Sequence, residues 1–347
     1  LQKLLADDGV IFISIDDTEC SNLILICNEI FGASNFVANV SWQRTYSPRN
    51  DSKGIVSEVE HLVVFSKNPG WQPNKLPRTE AMDSRYKNPD NDVAPWKSSD
   101  AFAPGAATHQ GMVYAIQHPF TGEMLYPSNG RCWRYQQSSM LEYMQGWCNY
   151  RLENLHDEKE RARVCGIDES AVRKDVLAIV LEEPLEVSAA KAQKVYNRGR
   201  WPGFYFTKGG YGGIARKTYL ENVGGRLPTN LWMYEETGHT DEAKKELISL
   251  FGGRSPFDTP KPTRLLDFVL KVAGTSENLM LDSFAGSGTT AHAVLNANKA
   301  DNGNRHFILI EMMDYADSIT AERVKRVIKG YGEGKNAVEG TGGNFSF

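Results

Sequence analysis

The chain has 347 residues, which is enough for about two domains that each bury a hydrophobic core. Its 41% hydrophobic and 24% charged content, with 31 glycines, is typical of globular proteins and excludes general disorder, collagen-like repeats and coiled coils. The 39 basic and 43 acidic residues give a net charge of −4, so a nucleic-acid surface has to be a local patch.

The cysteines and the apolar runs indicate the compartment. Five cysteines, an odd number without a C-x-x-C pair, favour reduced thiols in the cytoplasm and argue against a disulfide framework or a zinc site. No apolar run approaches the roughly 18 residues of a membrane span. We therefore expect a cytoplasmic protein with no metal and no membrane partner.

The first part of the chain has an α/β pattern. A strand over Val10–Ile15, expected to be buried on both faces of a central sheet, is followed by a helix over 23–31 that ends at Gly32. Two further strands are predicted over 36–42 and 61–66. The polar loop 44–60 between them is either one border of a substrate pocket or a solvated connection.

The middle of the chain, from about residue 68 to residue 253, is rich in prolines and aromatics and has no clean alternation of strand and helix. Short helices are predicted over 154–163 and 169–174. Within residues 191–226, eight basic residues stand against Glu221 alone, interleaved with seven aromatic rings. This basic window is either a nucleic-acid surface or an aromatic core with a solvated basic face. The candidate phosphate contacts are Arg198, Arg200, Lys208, Arg216 and Lys217.

The last part alternates again. Helices are predicted over 241–251, 264–272, 289–298 and 317–329, with buried strands over 279–284 and 306–311. The order strand, helix, strand, helix predicts a parallel sheet. The glycine-rich segment 331–347 is predicted to be a flexible tail.

A glycine turn is the most informative segment. The strand ending near Asp282 is followed by Gly286 and Gly288, and a helix begins at Thr289, so backbone N–H groups face the mouth of the sheet. The next strand ends at Glu311, at the spacing where an acidic residue reaches ribose hydroxyls. A structural turn without a ligand is the competing interpretation. No lysine follows the glycines, which excludes a P-loop.

These residues resemble a known family. The segment Asp282-x-Phe-x-Gly-Ser-Gly-Thr-Thr290 resembles the S-adenosylmethionine loop of β-class amino-methyltransferases that act on DNA. Further segments are similar to the modification subunit of type III restriction systems: Asp8-Gly-Val-Ile-Phe-Ile-Ser-Ile-Asp-Asp17, Glu29-Ile-Phe-Gly32, Glu60-His-Leu-Val-Val-Phe-x-Lys67, Lys261-Pro262 and Gly303-Asn-Arg305. The resemblance covers about residues 1–69 and 240–330 and is weaker in the middle.

The resemblance implies an architecture. It is a Rossmann-like α/β methyltransferase sheet of circularly permuted strand order, with a mixed α+β target-recognition insert. Residues 1–69 would supply the catalytic-half strands, 70–253 the insert, and 254–330 the S-adenosylmethionine-binding half. By the same resemblance, the cofactor-binding residues are Lys261, Pro262, Leu265, Asp282, Phe284, Ala285, Gly286, Ser287, Gly288, Thr289, Thr290 and Glu311.

The resemblance also implies an activity. It is methyl transfer from S-adenosylmethionine to the exocyclic N6 amine of adenine at specific sites in double-stranded DNA, in a restriction-modification or solitary modification system. The family implies a homodimer and a helicase-nuclease restriction subunit as further partners. Its catalytic loop contains a Pro-Pro-aromatic sequence, and this chain has no Pro-Pro pair. We therefore expect a chain that is truncated upstream of Leu1, has no catalytic residue of its own, and is inactive alone.

Two alternatives stay open. Gly286-x-Gly288-x-x-Ala291 also satisfies the dinucleotide pattern, so a fragment of an NAD-dependent oxidoreductase has to be considered. A non-catalytic DNA-binding relic of a methyltransferase is the other. A cytosine-carbon methyltransferase is disfavoured because no cysteine follows a proline. These residues do not determine the DNA recognition sequence. They also do not distinguish the N6 amine of adenine from the exocyclic amine of cytosine as the methylated group.

Overall fold

The computed structural model describes residues 1–47 and 54–347. The chain separates into two compact units, residues 1–77 with 225–347, and residues 78–224. Residues 48–53, within the predicted polar loop 44–60, lie outside the described residues.

Seventeen strands and ten α-helices make up the two units. The strands are β1 (Val10–Ile15), β2 (Phe36–Gln43), β3 (Val59–Ser66), β4 (Trp96–Asp100), β5 (Phe102–Pro104), β6 (Ile116–Gln117), β7 (Met124–Leu125), β8 (Arg131–Trp133), β9 (Tyr150–Glu153), β10 (Ala178–Leu181), β11 (Phe204–Phe206), β12 (Ile214–Tyr219), β13 (Leu231–Trp232), β14 (Leu279–Asp282), β15 (His306–Leu309), β16 (Gly330–Tyr331) and β17 (Val338–Glu339), counted over the described residues. The helices in the same residues are α1 (Cys20–Phe31), α2 (Glu80–Asp83), α3 (Gln137–Gln145), α4 (Glu158–Cys165), α5 (Leu185–Arg198), α6 (Tyr234–Thr237), α7 (Thr240–Phe251), α8 (Thr263–Ala273), α9 (Thr289–Asp301) and α10 (Glu322–Lys329).

A four-stranded sheet in the order β1-β3-β2-β13 forms one part of the first unit. Strand β3 pairs antiparallel with β1 and β2, and β13 pairs parallel with β2. Helix α1 packs on one face through Cys27 and Phe31, against Val63 and Phe65 of β3. Helix α8 shares a core with Trp42 and Trp232. The prediction that β1 is buried on both faces is wrong, because β1 is an edge strand and its side chains are only partly covered.

A second, parallel pair consists of β14 and β15, joined by the crossover helix α9. The prediction of parallel strands in this part is therefore confirmed. Both strands alternate between exposed and half-buried residues, so the prediction of buried strands is wrong. Leu279, Leu281 and Ile308 lie on the exposed side. In the described residues this pair does not hydrogen-bond to the four-stranded sheet, so the single permuted sheet expected from both chain ends is not seen there.

Residues 225–253 lie in the first unit, although the insert was expected to extend to residue 253. Strand β13 pairs with β2, which places Trp232 beside Trp42. Helix α7 contributes Leu247 and Leu250 to a core that it shares with α9 and α10. These pairing and packing contacts explain why the second unit ends at residue 224.

The glycine-rich segment 331–347 was expected to be a flexible tail, and the structure packs it within the first unit instead. Strands β16 and β17 pair antiparallel. The Thr341 N–H donates to the Val327 carbonyl oxygen at 3.0 Å, and Phe345 packs against the core shared by α7, α9 and α10. Backbone hydrogen bonds and one aromatic side chain therefore outweigh the entropy cost that the glycines impose.

The second unit is built around aromatic side chains. Trp133 and Trp147 are buried in its largest core. Six of the seven aromatic rings of the basic window are buried in this core or pack against it: Tyr196, Trp201, Phe204, Tyr205, Phe206 and Tyr219. Of the two short helices predicted here, 154–163 is helical only from Glu158, and residues 154–157 connect it to β9. The region 169–174 contains a single 3₁₀ turn, Glu169–Ala171, and no α-helix.

Lys217 of β12 is buried in this unit. Its ammonium donates to the Asp90 carboxylate at 2.5 Å, to the Asp92 carboxylate, and to the Trp201 carbonyl oxygen at 2.8 Å. The Lys217 side chain is 0% exposed. Lys217 is therefore not available to a phosphate, and its assignment as a DNA contact is wrong. The sequence does not show this, because both carboxylates lie more than a hundred residues away along the chain.

We expect Lys217→Ala to destabilise the second unit strongly, because it leaves two carboxylates buried without their cation. Removing one partner of a buried pair costs roughly 3–5 kcal/mol. Urea denaturation followed by tryptophan fluorescence measures the loss. Lys194→Ala, at an exposed position on α5, is the control, and equal stability of the two variants would contradict the burial of this ion pair.

Asp267 on α8 gives a pH-dependent prediction. Burial raises the pKa of its carboxyl from the ordinary 3.8 to about 6, so the folded state binds this proton more tightly than the unfolded state. The free energy of unfolding then falls as pH rises from about 4 to about 6. We expect Asp267→Asn to stabilise the protein by about 1–3 kcal/mol at pH 7.5 and to have little effect at pH 4. Melting temperatures at both pH values measure this, with exposed Asp258→Asn as the control. A higher melting temperature of Asp267→Asn only at pH 4 would contradict a raised pKa of Asp267.

Candidate cofactor site

The glycine turn after β14 is shaped by two backbone positions. Gly286 has φ +52° and Gly288, which precedes α9, has φ +78°, both in the region that favours glycine. A Cβ on Gly288 would lie 3.0 Å from the Thr320 carbonyl oxygen. The hydroxyl of Thr320 in turn donates to the Gly286 carbonyl oxygen at 2.6 Å. The turn is therefore held against the segment that leads into α10.

Two carboxylates lie at this turn. Asp282 accepts hydrogen bonds from the Phe284 N–H at 3.1 Å and from the Thr290 hydroxyl at 2.6 Å. Glu311, just beyond β15, accepts the Gly286 N–H at 2.8 Å. Its second oxygen accepts the N–H groups of Met312 and Met313. Because β14 and β15 are parallel neighbours, their carboxyl ends bring the two acidic residues to one edge.

The predicted cofactor residues of the turn divide by burial. Asp282, Gly286 and Glu311 are half-buried, and the Phe284 ring is 83% exposed. The other turn residues are buried: Ala285, Ser287, Gly288, Thr289 and Thr290. Asp282, Phe284 and Glu311 can contact a ligand with their side chains and Gly286 with its backbone, whereas the buried residues build the turn.

The segment before α8 contacts the turn from another side. The Thr289 hydroxyl donates to the Lys261 carbonyl oxygen at 3.2 Å. The Lys261 ammonium pairs with the Glu60 carboxylate and lies 5.3 Å from the centre of the Trp42 ring. Pro262 is buried.

Leu265 does not line this edge. Its side chain is 2% exposed and belongs to the core with Trp42 and Phe268, so its assignment as a cofactor contact is wrong for the side chain. It lies on the apolar face of α8, which packs against the four-stranded sheet.

Arg323 on α10 was not predicted. Its guanidinium is buried under the glycine turn and donates to Thr289 at 2.9 Å and to Ser287 at 3.1 Å. It also donates to Glu246 at 2.8 Å. Burial and the nearby guanidinium lower the pKa of His292 to about 3, so this imidazole is neutral and can accept a hydrogen bond from Arg323. The sequence contains an indication of this burial, because Arg323 lies among the apolar positions of an amphipathic helix.

A second polar cluster lies at the end of β1. His61 contacts Asp17 at 2.7 Å and Asn39 at 3.1 Å through its two ring nitrogens. The Ser57 hydroxyl donates to Asp17 at 2.8 Å. Hydrogen bonds from His61 and Ser57 lower the pKa of Asp17. His61 follows Glu60 in β3, and consecutive residues of a strand point to opposite faces of a sheet, so this cluster and the Lys261 ion pair lie on opposite faces.

The basic window keeps part of its predicted surface. Arg198, Arg200 and Lys208 are exposed. Arg216 is half-buried, and its Nε has no hydrogen-bond partner within the described residues. Of the five candidate phosphate contacts, three are therefore exposed, and they lie at and after the C-terminal end of α5.

Across residues 1–47 and 54–347, no three His, Cys, Asp or Glu side chains lie close enough together to hold a metal ion. The five cysteines are buried thiols without a disulfide. None of the helices in the described part of the chain is both long and apolar enough to cross a membrane.

The chain is similar to known proteins over most of its length. It is 30% identical over 343 residues to the StyLTI Mod subunit, a type III restriction-modification enzyme of Salmonella typhimurium, covering 94% of this chain and 43% of the relative. The EcoPI Mod subunit of Escherichia phage P1 is 27% identical, covering 89% and 43%. The type II methyltransferase M.KpnI of Klebsiella pneumoniae is 27% identical, covering 89% and 63%.

The chain thus spans about half the length of the curated relatives it matches. The similarity extends through the middle of the chain, beyond the two flanks on which the sequence resemblance was based. Because a family model described as DNA methylase matches residues 1–322, the chain belongs to the DNA methylase family.

Proposed function

We propose that the protein is a site-specific DNA methyltransferase. It transfers the methyl group of S-adenosylmethionine to the exocyclic N6 amine of adenine in double-stranded DNA, within a restriction-modification or solitary modification system. The family membership and the names of the type III Mod relatives support this activity. In the same proposal, the two parts of the first unit belong to one Rossmann-like sheet of permuted order, and residues 78–224 are the core of the target-recognition insert.

The carboxylate of Glu311 at the Gly286 N–H is the observation that carries the choice of cofactor. In a dinucleotide site, the N–H groups of this turn bind a pyrophosphate. Here one of them donates to a carboxylate, and the Asp282 carboxylate lies beside it, so a phosphate would face two negative charges. S-adenosylmethionine carries no phosphate and has a positive sulfonium. The site therefore favours it over NAD.

The accessible groups suit an adenosine-type ligand. Glu311 has lone pairs left for ribose hydroxyls, since a carboxylate accepts about four hydrogen bonds. The exposed Phe284 ring offers a face for an adenine ring. Lys261 and Pro262 border the turn on the side proposed for the methionine end. When bound, the cofactor supplies an electrophilic methyl group on sulfur, and the residues of this chain hold and orient it.

The proposed function also includes partners. Double-stranded DNA is the substrate, and a second copy of the protein and a helicase-nuclease restriction subunit are proposed as further partners. The exposed cations Arg198, Arg200 and Lys208 are proposed phosphate contacts, with Arg216 at their edge. Buried reduced thiols support a cytoplasmic location.

Cofactor binding tests the proposal directly. Because the sequence has no Pro-Pro pair, the experiment reads binding instead of methyl transfer. We expect calorimetry to detect S-adenosylhomocysteine binding and no NAD binding. Glu311→Gln should weaken binding about 10- to 100-fold, because hydrogen bonds to a charged group contribute about 1.5–3 kcal/mol.

Exposed Glu333→Gln is the matched control and should bind as the unaltered chain does. Binding of NAD instead would favour the oxidoreductase. DNA binding without S-adenosylhomocysteine binding would identify a non-catalytic relic.

The DNA surface has its own test. We expect the double variant Arg198→Ala with Arg200→Ala to weaken DNA binding and to lower the slope of log K against log salt by about 2, since each phosphate contact contributes about 0.9. Fluorescence anisotropy with duplex DNA over a salt series measures both. Arg173→Ala, at an exposed arginine of the same unit that pairs with Asp175, is the control. An unchanged slope in the double variant would contradict the proposed surface.

A further inference from the structure

The guanidinium of Arg323 uses every donor it has. Nε–H donates to His292 Nδ1 at 3.3 Å. The Nη1 group donates to the hydroxyls of Ser287 at 3.1 Å and Thr289 at 2.9 Å. The Nη2 group donates to Glu246 at 2.8 Å and to the Thr263 hydroxyl at 3.1 Å. Since arginine has five N–H donors in a planar fork, this buried side chain is fully satisfied.

These acceptors come from both segments that border the proposed cofactor site. Ser287 and Thr289 belong to the glycine turn, and Thr263 is the first residue of α8, directly after Lys261 and Pro262. The Thr289 hydroxyl accepts from Arg323 and donates to the Lys261 carbonyl oxygen, so it links the two segments. One side chain from α10 therefore sets the position of the turn relative to residues 261–263.

The buried guanidinium of Arg323 has one charged partner. Within the described residues, Glu246 is the only carboxylate hydrogen-bonded to Arg323, and Glu246 also accepts the Thr263 hydroxyl. His292 is neutral and adds no charge. Burying a guanidinium is costly unless its hydrogen bonds are complete, and an apolar side chain would fill the same space at lower cost. A buried charge in this position is thus better explained by the geometry it imposes than by packing.

We propose that Arg323 is a positioning residue for the cofactor. Its guanidinium holds the glycine turn and residues 261–263 in the geometry that binds S-adenosylmethionine before the cofactor arrives. This inference rests on the proposed function. The guanidinium lies beneath the turn, buried away from solvent, so it acts through Ser287, Thr289 and Thr263.

Lysine cannot replace arginine in this role. Its ammonium keeps the charge but places three donors on a single nitrogen, whereas the acceptors around Arg323 lie on three separate segments of the chain, at residues 246, 263 and 287–292. Arg323→Lys therefore preserves the ion pair with Glu246 and leaves hydroxyls of the turn unbound.

Arg326→Lys is the matched control on the same helix. Arg326 donates to Glu322 at 2.7 Å and to the Leu250 carbonyl oxygen at 2.8 Å, and it contacts no residue of the turn through these bonds. Both variants make the same chemical change in α10. A difference between them reports on the turn and not on the helix.

Two measurements test the inference below the melting temperature of every variant. Hydrogen exchange without ligand should be faster at residues 285–290 in Arg323→Lys and unchanged there in Arg326→Lys. S-adenosylhomocysteine should bind about tenfold more weakly to Arg323→Lys only, because acceptors left unpaired cost about one factor of ten in affinity. Thr263→Val, which removes one acceptor on the α8 side at constant shape, should show a smaller loss of affinity. It provides the same test if Arg323→Lys does not fold.

The outcomes separate the two proposals. Unchanged exchange and unchanged affinity in folded Arg323→Lys, or in Thr263→Val when Arg323→Lys does not fold, would overturn the positioning role and leave the proposed function intact. An equal loss in Arg326→Lys would reduce Arg323 to a structural role. If the unaltered chain does not bind S-adenosylhomocysteine, the proposed function fails and the cofactor part of this inference fails with it. The exchange measurement still decides whether Arg323 orders the turn.

Discussion

A single buried cation organises the C-terminal half of the first unit. The guanidinium of Arg323 joins α10 to α7, α8, α9 and the glycine turn through hydrogen bonds to one carboxylate, three hydroxyls and one neutral imidazole. Such a group is tolerated in a protein interior only when its partners are complete. These hydrogen bonds therefore restrain the surrounding helices relative to one another, and they restrain the glycine turn in the same way.

The chemistry of the proposed site follows from strand direction. Parallel neighbours end at one edge, so the residues that follow β14 and β15 meet there, and in this chain they are acidic. A carboxylate on a turn N–H places negative charge where other nucleotide enzymes bind phosphate. Under the proposed function, this negative charge faces a cofactor that carries a sulfonium and no phosphate.

Local patterns were sufficient for part of this structure. Apolar periodicity and terminal glycines located α1, α7, α8 and α9, and the spacing of the parallel strands placed Glu311 beside the turn. Positions that depend on distant partners were not predictable. The sequence alone indicates a surface cation at Lys217, because its carboxylate partners lie on a loop that is distant along the chain. It indicates a site residue at Leu265, because the packing of α8 is not visible in the sequence. The insert boundary was missed because the short strand β13 gives no clear pattern until it pairs with β2.

The uncovered side of the β14 and β15 pair has a practical consequence. Leu279, Leu281, Ile308 and Ile310 present adjoining aliphatic side chains to water on a parallel pair, a type of sheet that proteins ordinarily cover on both faces. Salts that are excluded from protein surfaces, such as ammonium sulfate, strengthen contacts between patches of this kind. Ammonium sulfate is therefore expected to promote association of this polypeptide through that face.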